Sequence, residues 1–179
     1  HALALGELNP LALAVSSRGA LAVVADGATQ APELYLLSTL DSQPVRRTDF
    51  NRSLDAHAFP RTIEVSWKAP DGQRNDGLLT YPRGYVAGKQ YPLVVYSHGG
   101  PQAASSADFD GGEIGPLRQL FAADGYLVFE PNYRGSDNLG SAHEHAIYRD
   151  PGVGPNSDVI SGINQLEHEG LVDTSRIAA

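Results

Sequence analysis

The chain has 179 residues, of which 41% are hydrophobic and 19% charged, a composition that marks a folded globular protein rather than a disordered one. Its formal net charge is −8 and no basic run exceeds the pair Arg46-Arg47, which argues against a nucleic-acid groove or an anionic membrane as partner. There is no cysteine, so disulfides and thiolate metal centres are excluded, and no apolar run approaches the ~18 residues of a membrane-crossing helix.

Residues 1–57 read as short strands separated by turns. The stretch "GALAVVADGATQAPELYLLS" gives an apolar run, a turn at Asp26-Gly27, a polar loop holding Pro32, and a second run "ELYLLS". The polar stretch "RRTDFNRSLDAH" follows, and Glu33, Arg46 and Arg47 are expected to be solvated. A unit this small cannot cover both of its faces, so it is expected to be the end of a larger antiparallel structure.

The character changes over residues 58–179. "TIEVSWKA" alternates, with Ile63, Val65 and Trp67 on one face, and predicts a half-buried strand; "PDGQRNDG" supplies turn residues and "LLTYP" the partner strand. "YPLVVYS" is apolar throughout and predicts a parallel strand covered on both faces. "IGPLRQLFAADG" places Leu117, Leu120 and Phe121 at helical spacing and ends on Gly125. "YLVFEPNYRGS" predicts a second buried strand running into a loop. "NSDVISGINQLEHEG" predicts a helix capped by Asn156 or Ser157, with Asp158 in its first turn. "SRIAA" begins a further apolar segment. Strand and helix alternate in this half, which predicts an α/β fold on a mostly parallel sheet with the two antiparallel strands at one edge.

In such sheets ligands bind outside the carboxyl ends of the strands. The sequence His98-Gly99-Gly100-Pro101 falls at that end of "YPLVVYS". Glycines there bring the backbone close to a ligand with no Cβ in the way, and their N–H groups can aim into the site. A His-Gly-Gly loop in this place supplies an oxyanion donor in α/β-hydrolases. Taken alone, the same residues also suit a plain strand-ending turn.

The wider order of motifs resembles the prolyl oligopeptidase family of serine peptidases, in particular its acylaminoacyl-peptidase-like and dipeptidyl-peptidase-like branch. "APELYLLS" with "RRTDFN" is similar to the last blade of that family's β-propeller, and "VSWKAPDGQRNDGLLTYP" to the start of its hydrolase domain. "YPLVVYSHGGP", "GYLVFEPNYRGS" and "DPGVGPNSDVISGINQL" with "GLVDTSRIAA" match the next segments in order. The resemblance implies a propeller remnant over 1–57 and the amino-terminal half of an α/β-hydrolase over 58–179. It implies that the backbone N–H of Gly100 is an oxyanion donor, with His98 and Gly99 shaping the loop. Other branches carry a tyrosine at the position of His98 and use its hydroxyl as the donor; here His98 is expected to orient the loop instead. The loop from Arg134 to Ser136 continues with fewer glycines than is usual in the family.

No serine in the chain has glycine both two positions before and two positions after it, so a Gly-x-Ser-x-Gly elbow is absent. The resemblance places that elbow just beyond "VDTSRIAA", and the acid and histidine of the triad later still. With no methionine anywhere, and with ends at His1 and Ala179, the chain is expected to be a piece of a longer protein, inactive by itself and prone to self-association through open strand edges. The implied partner is a short peptide substrate, with no cofactor and no metal; the compartment is open. A carboxylesterase-like or lipase-like hydrolase and a non-catalytic binding module stand as alternatives.

Remaining motifs read as structural. His143-Glu144-His145 with Asp150 offers no third ligand at convincing metal spacing and is expected to be a solvated loop. His168 suits a helix carboxyl end, and Gly152-Val153-Gly154 a loop leading to a helix start. Asp158 is expected to hold a neighbouring loop. The acidic "AASSADFDGGE" lacks EF-hand spacing.

Overall fold

A computed structural model describes residues 5–54, 56–100, 102–109 and 115–179. Pro101 of the glycine loop and residues 110–114, which hold part of the acidic stretch, lie outside the described residues. The chain forms two compact units, His1–Phe59 with Ala107–Gly115, and Pro60–Ser106 with Pro116–Ala179.

The first unit is an antiparallel sheet in chain order: β1 (Asn9–Val15), β2 (Leu21–Gly27), β3 (Gln30–Leu37) and β4 (Val45–Arg46). Leu21, Val23, Ala25, Tyr35 and Leu37 bury one face with Leu5. On the other strand positions Val24, Leu36 and Val45 stay exposed. Two expectations fail here. Asp26 and Gly27 belong to β2, and the turn falls at Ala28-Thr29. Pro32 lies inside β3, opposite a register shift between Ala25 and Gly27, where a residue without an N–H costs no ladder bond.

Glu33 corrects the sequence reading further, because it is buried rather than solvated. Arg46 reaches it at 3.1 Å, the Asn51 N–H donates to it at 2.9 Å, and the Thr48 hydroxyl donates to its second oxygen. Burial opposes its charge, but these donors outweigh burial and bring its pKa down to about 2. The residue thus staples β3 to β4 and the turn beyond. Arg46 is half-buried, and only Arg47 is exposed as expected.

The second unit is a five-stranded mixed sheet of β5 (Thr62–Lys68), β6 (Arg74–Thr80), β7 (Tyr91–Val95), β8 (Leu127–Asn132) and β9 (Val172–Ala178). Their order is β5-β6-β8-β7-β9. The antiparallel pair β5–β6 takes one edge, and β7 runs parallel to both β8 and β9. Between the strands lie α1 (Gly115–Ala123), the short α2 (Ser141–His145) and α3 (Val153–His168). One sheet face carries the core of Trp67, Leu79, Leu93, Val95, Leu127, Phe129, Ile163 and Leu166, where α3 packs. The Trp67 and Phe129 rings meet edge to face at 5.2 Å, and the indole N–H donates to the Asp158 carbonyl at 2.8 Å.

Local patterning explains where the expectations held and where they did not. Trp67 is buried with Ile63 and Val65 packed on the same core, as the alternation predicts. β8 is buried at every position. β7 is not: Pro92 and Val94 are only half-buried, so one of its faces is thinly covered. In α1 the buried residues are Arg118 and Ala122, while Leu117 and Leu120 are exposed. The reason is Glu130, a fully buried carboxylate in β8 that takes the Arg118 guanidinium in a bidentate pair at 2.5 and 2.9 Å and so turns the helix. Helix α3 starts at Val153, earlier than predicted. Its first N–H groups, of Val153 and Gly154, donate to the two Asp150 carboxylate oxygens, both at 2.9 Å. Asp158 is consequently the sixth residue of the helix and lies beyond its first turn. β9 begins at Val172 and is exposed beyond Asp173, an open edge rather than an apolar core segment.

Candidate active site

The site grows from the carboxyl ends of β7 and β8. After Val95 the chain leaves the sheet through Tyr96, whose N–H still donates to Phe129 C=O at 2.9 Å, and reaches His98, Gly99 and Gly100. Gly100 has φ +134°, a conformation that L side chains rarely adopt. A Cβ on it would stand 3.1 Å from the Gln102 nitrogen and 3.4 Å from the Ala103 Cβ, so the backbone folds tightly on its own downstream limb. Gly99 and Gly100 are exposed, and among the described residues no acceptor takes the Gly100 N–H.

His98 is held on every side. Its ring stacks on Tyr133 with centroids 4.7 Å apart and planes 13° from parallel. Its carbonyl accepts the Tyr133 hydroxyl at 2.6 Å. Ser136 Oγ donates to the Tyr133 carbonyl at 2.7 Å and lies 2.8 Å from His98 Nε2; His98 Nδ1 lies 3.0 Å from the Gly99 carbonyl oxygen. Burial pushes the Tyr133 phenol above its ordinary pKa.

The turn that carries Tyr133 and Ser136 is fixed from below by Arg134. Its backbone N–H, Nε and Nη2 donate to the Asp158 carboxylate at 2.9, 2.8 and 2.8 Å, and Nη2 reaches Asp71 at 2.7 Å. Asp158 is fully buried, and these bonds raise the Arg134 pKa above its already high value. Asp71 is lowered, first by the Gln73 N–H and then by Arg134. The expectation that Asp158 holds a neighbouring loop is met, and the loop is the one that grips His98.

His143 departs from its predicted place in a solvated loop. It is buried in α2, with Nδ1 3.1 Å from Ser136 C=O and Nε2 3.2 Å from Asn75 Oδ1, while His145 is exposed. Among the described residues no three His, Asp or Glu side chains gather as a metal site, and no helix is long and apolar enough to cross a membrane. His168 is the exposed last residue of α3. A cavity of about 350 Å³ lies beside Asn75, Asp76, Leu139 and His143; another of about 360 Å³ opens at the opposite, amino end of β7, by Arg83, Lys89 and Tyr91.

Residues 116–179 match the Prolyl oligopeptidase family. The chain is similar to this family over its carboxyl-terminal third. Dipeptidyl-peptidase 5 of Porphyromonas gingivalis is 26% identical over 151 residues, covering 82% of this chain and 21% of that protein. Dipeptidyl-peptidase 5 of Aspergillus oryzae is 30% identical over 116 residues, 64% of this chain and 16% of that protein. An acylaminoacyl peptidase solved in complex with Z-Gly-Gly-Phe-chloromethyl ketone is 25% identical with a TM-score of 0.82, covering 98% of this chain and 27% of its own. The chain therefore spans roughly a fifth of the length of the curated relatives it matches. The residues that sequence reasoning missed are those on β8 and its turn, Glu130, Asn132, Tyr133 and Ser136. A charged and an amide residue inside the otherwise largely apolar run "YLVFEPNY" were the available signal.

Proposed function

We propose that the whole protein is a serine peptidase acting on short peptides, and that this chain supplies one wall of its oxyanion hole. The observation that carries the reading is the Gly100 N–H: exposed, unclaimed by any acceptor among the described residues, and set at the carboxyl end of a parallel strand by a positive φ. A donor so placed stabilises the negative oxygen of a tetrahedral intermediate, and removal of one such donor costs about 2.7–4 kcal/mol of barrier. His98 orients the loop through its Tyr133 and Ser136 contacts and takes no proton in the reaction. Residues 58–179 form the amino-terminal half of an α/β-hydrolase domain, and the antiparallel sheet over 1–57 is the remnant of a last propeller blade. The nucleophilic serine, its acid and its histidine lie beyond Ala179, so the 179 residues alone are inactive. The peptidyl chloromethyl ketone bound by the acylaminoacyl peptidase supports a peptide as the ligand class.

The test uses the full chain. Hydrolysis of peptide p-nitroanilides should be abolished by a serine-directed phosphonate, and peptide mapping should place the phosphonyl adduct on a serine beyond residue 179. Faster turnover of p-nitrophenyl esters than of any peptide, or an adduct on a serine within these residues, would overturn the reading.

A further inference from the structure

The described residues of the loop, 97–100 and 102–106, follow β7 and turn at Gly100. On its downstream limb the Asp137 N–H donates to Ala103 C=O, at 3.3 Å. Side chains from the end of β8 and the residue after it hold both of its limbs. On the upstream limb that is Tyr133, through the His98 carbonyl. On the downstream limb it is Asn132, the last residue of β8, which is buried. Asn132 Oδ1 accepts the Ser105 N–H at 2.8 Å while its Nδ2 donates to Ser105 C=O at 3.2 Å, so one amide holds both polar groups of one peptide residue. The same Nδ2 donates to Asp76 Oδ1 at 3.0 Å, and the Asn138 amide donates to that oxygen at 2.7 Å. Asp76 thereby fixes which way round the Asn132 amide stands. Arg118, itself locked by Glu130, adds a bond to Ser106 C=O at 3.1 Å.

We infer that Asn132 is a positioning residue for the oxyanion loop: by clamping Ser105 it sets the direction of the Gly100 N–H, five residues upstream, at the reacting carbonyl. This rests on the reading of Gly100 as an oxyanion donor. Only a primary amide can serve, because the site needs an acceptor for the Ser105 N–H and donors for Ser105 C=O and Asp76 at once. A carboxylate at 132 keeps the acceptor but sets its second oxygen against a carbonyl and another carboxylate.

In the full chain, Asn132→Asp should lower kcat by about 10²-fold, the scale of misplacing or losing one oxyanion donor, with KM within about two-fold. The affinity for a peptidyl aldehyde, which forms the tetrahedral oxygen on binding, should fall by the same factor as kcat. The paired exchange Asp76→Asn with Asn132→Asp returns an amide–carboxylate contact and should recover part of both losses together. Ser105→Pro, which removes the clamped N–H without touching the sheet, should reproduce the kcat and aldehyde losses and guards against a folding failure at position 132. All rates are taken per active site titrated with phosphonate. If the variants lower the titratable fraction or the melting temperature while kcat per site and aldehyde affinity stay at wild-type values, Asn132 is merely structural and the inference is wrong. Absence of peptide turnover by the unaltered full chain would instead overturn the reading beneath it, so the two failures are distinct.

Discussion

The Arg134–Asp158 pair offers the sharpest energetic prediction, because the two aspartates that share Arg134 differ so much in burial. The Asp158 side chain is 0% exposed and accepts three donors from Arg134, whereas the Asp71 side chain is 54% exposed and accepts one. Asp158→Asn keeps the volume but removes the charge and turns an NH2 group toward at least one Arg134 donor. The guanidinium is left in a site where only 11% of its side chain meets water. Removing one partner of a buried pair costs ~3–5 kcal/mol, and since Asp71 still offers partial compensation the lower value of ~3 kcal/mol is expected. At ~1.4 kcal/mol per decade, this makes amide exchange across α3 and β8 about 150-fold faster wherever it proceeds through their joint opening. Hydrogen-exchange mass spectrometry on the full chain reads that change, peptide by peptide. Asp71→Asn should leave the same peptides close to wild type, since water screens and replaces an exposed partner. Equal effects of the two substitutions would refute the argument from burial, as would an Asp158→Asn effect below about five-fold.

Three further outcomes follow from the same geometry. Gly162→Ala would put a Cβ 2.7 Å from Phe129 Cζ and 2.9 Å from Trp67 Cε2, two rings with no room to move. The overpacking cost of ~1–3 kcal/mol should exceed the ~1 kcal/mol that alanine gains in a helix, giving a net loss in urea unfolding rather than the usual helix stabilisation. Ser136→Ala removes the group between His98 Nε2 and Tyr133 C=O, and should lower kcat of the full chain about ten-fold with KM little changed, as expected for loss of one orienting bond. Glu33 has a folded pKa near 2 against an ordinary 4.5, so its stabilising effect is complete above about pH 4.5 and is lost as pH falls toward 2. Glu33→Gln should flatten that limb of the acid-unfolding curve, and an unchanged slope would show that the Arg46 and Thr48 bonds do not hold in solution.

The contrast between what could and could not be read from the residues has a physical cause. Period-two and buried-strand patterns report how much apolar surface each position hides, and they located β5 and β8 because most core-facing positions of those strands are hydrophobic. They located α1 but not the face it buries: Leu117 and Leu120 form its apolar stripe yet stay exposed, because hydrophobic spacing says nothing of an Arg118 drawn inward by Glu130. They likewise put Glu33 and His143 in solvent and started α3 too late. For Glu33 and His143 the cause is a polar residue buried against a partner distant in sequence, Arg46 and Asn75; at α3 it is a local, half-buried Asp150 cap that precedes the helix. Buried polar groups are tolerated only when their partners are complete, so each such pair fixes geometry more narrowly than an apolar contact of the same size. The proposed site is built almost wholly of such pairs. Glycines at 99 and 100 mark where the loop of the proposed site turns, whereas Asn132, Tyr133, Arg134 and Ser136 hold it or the turn beneath it, each through a bond to a residue at least 20 positions away. A substitution that preserves hydrophobic pattern and helix propensity yet breaks one of these bonds should therefore leave the fold in place and disable the chemistry. The Asn132→Asp and Ser136→Ala variants put that separation to the test.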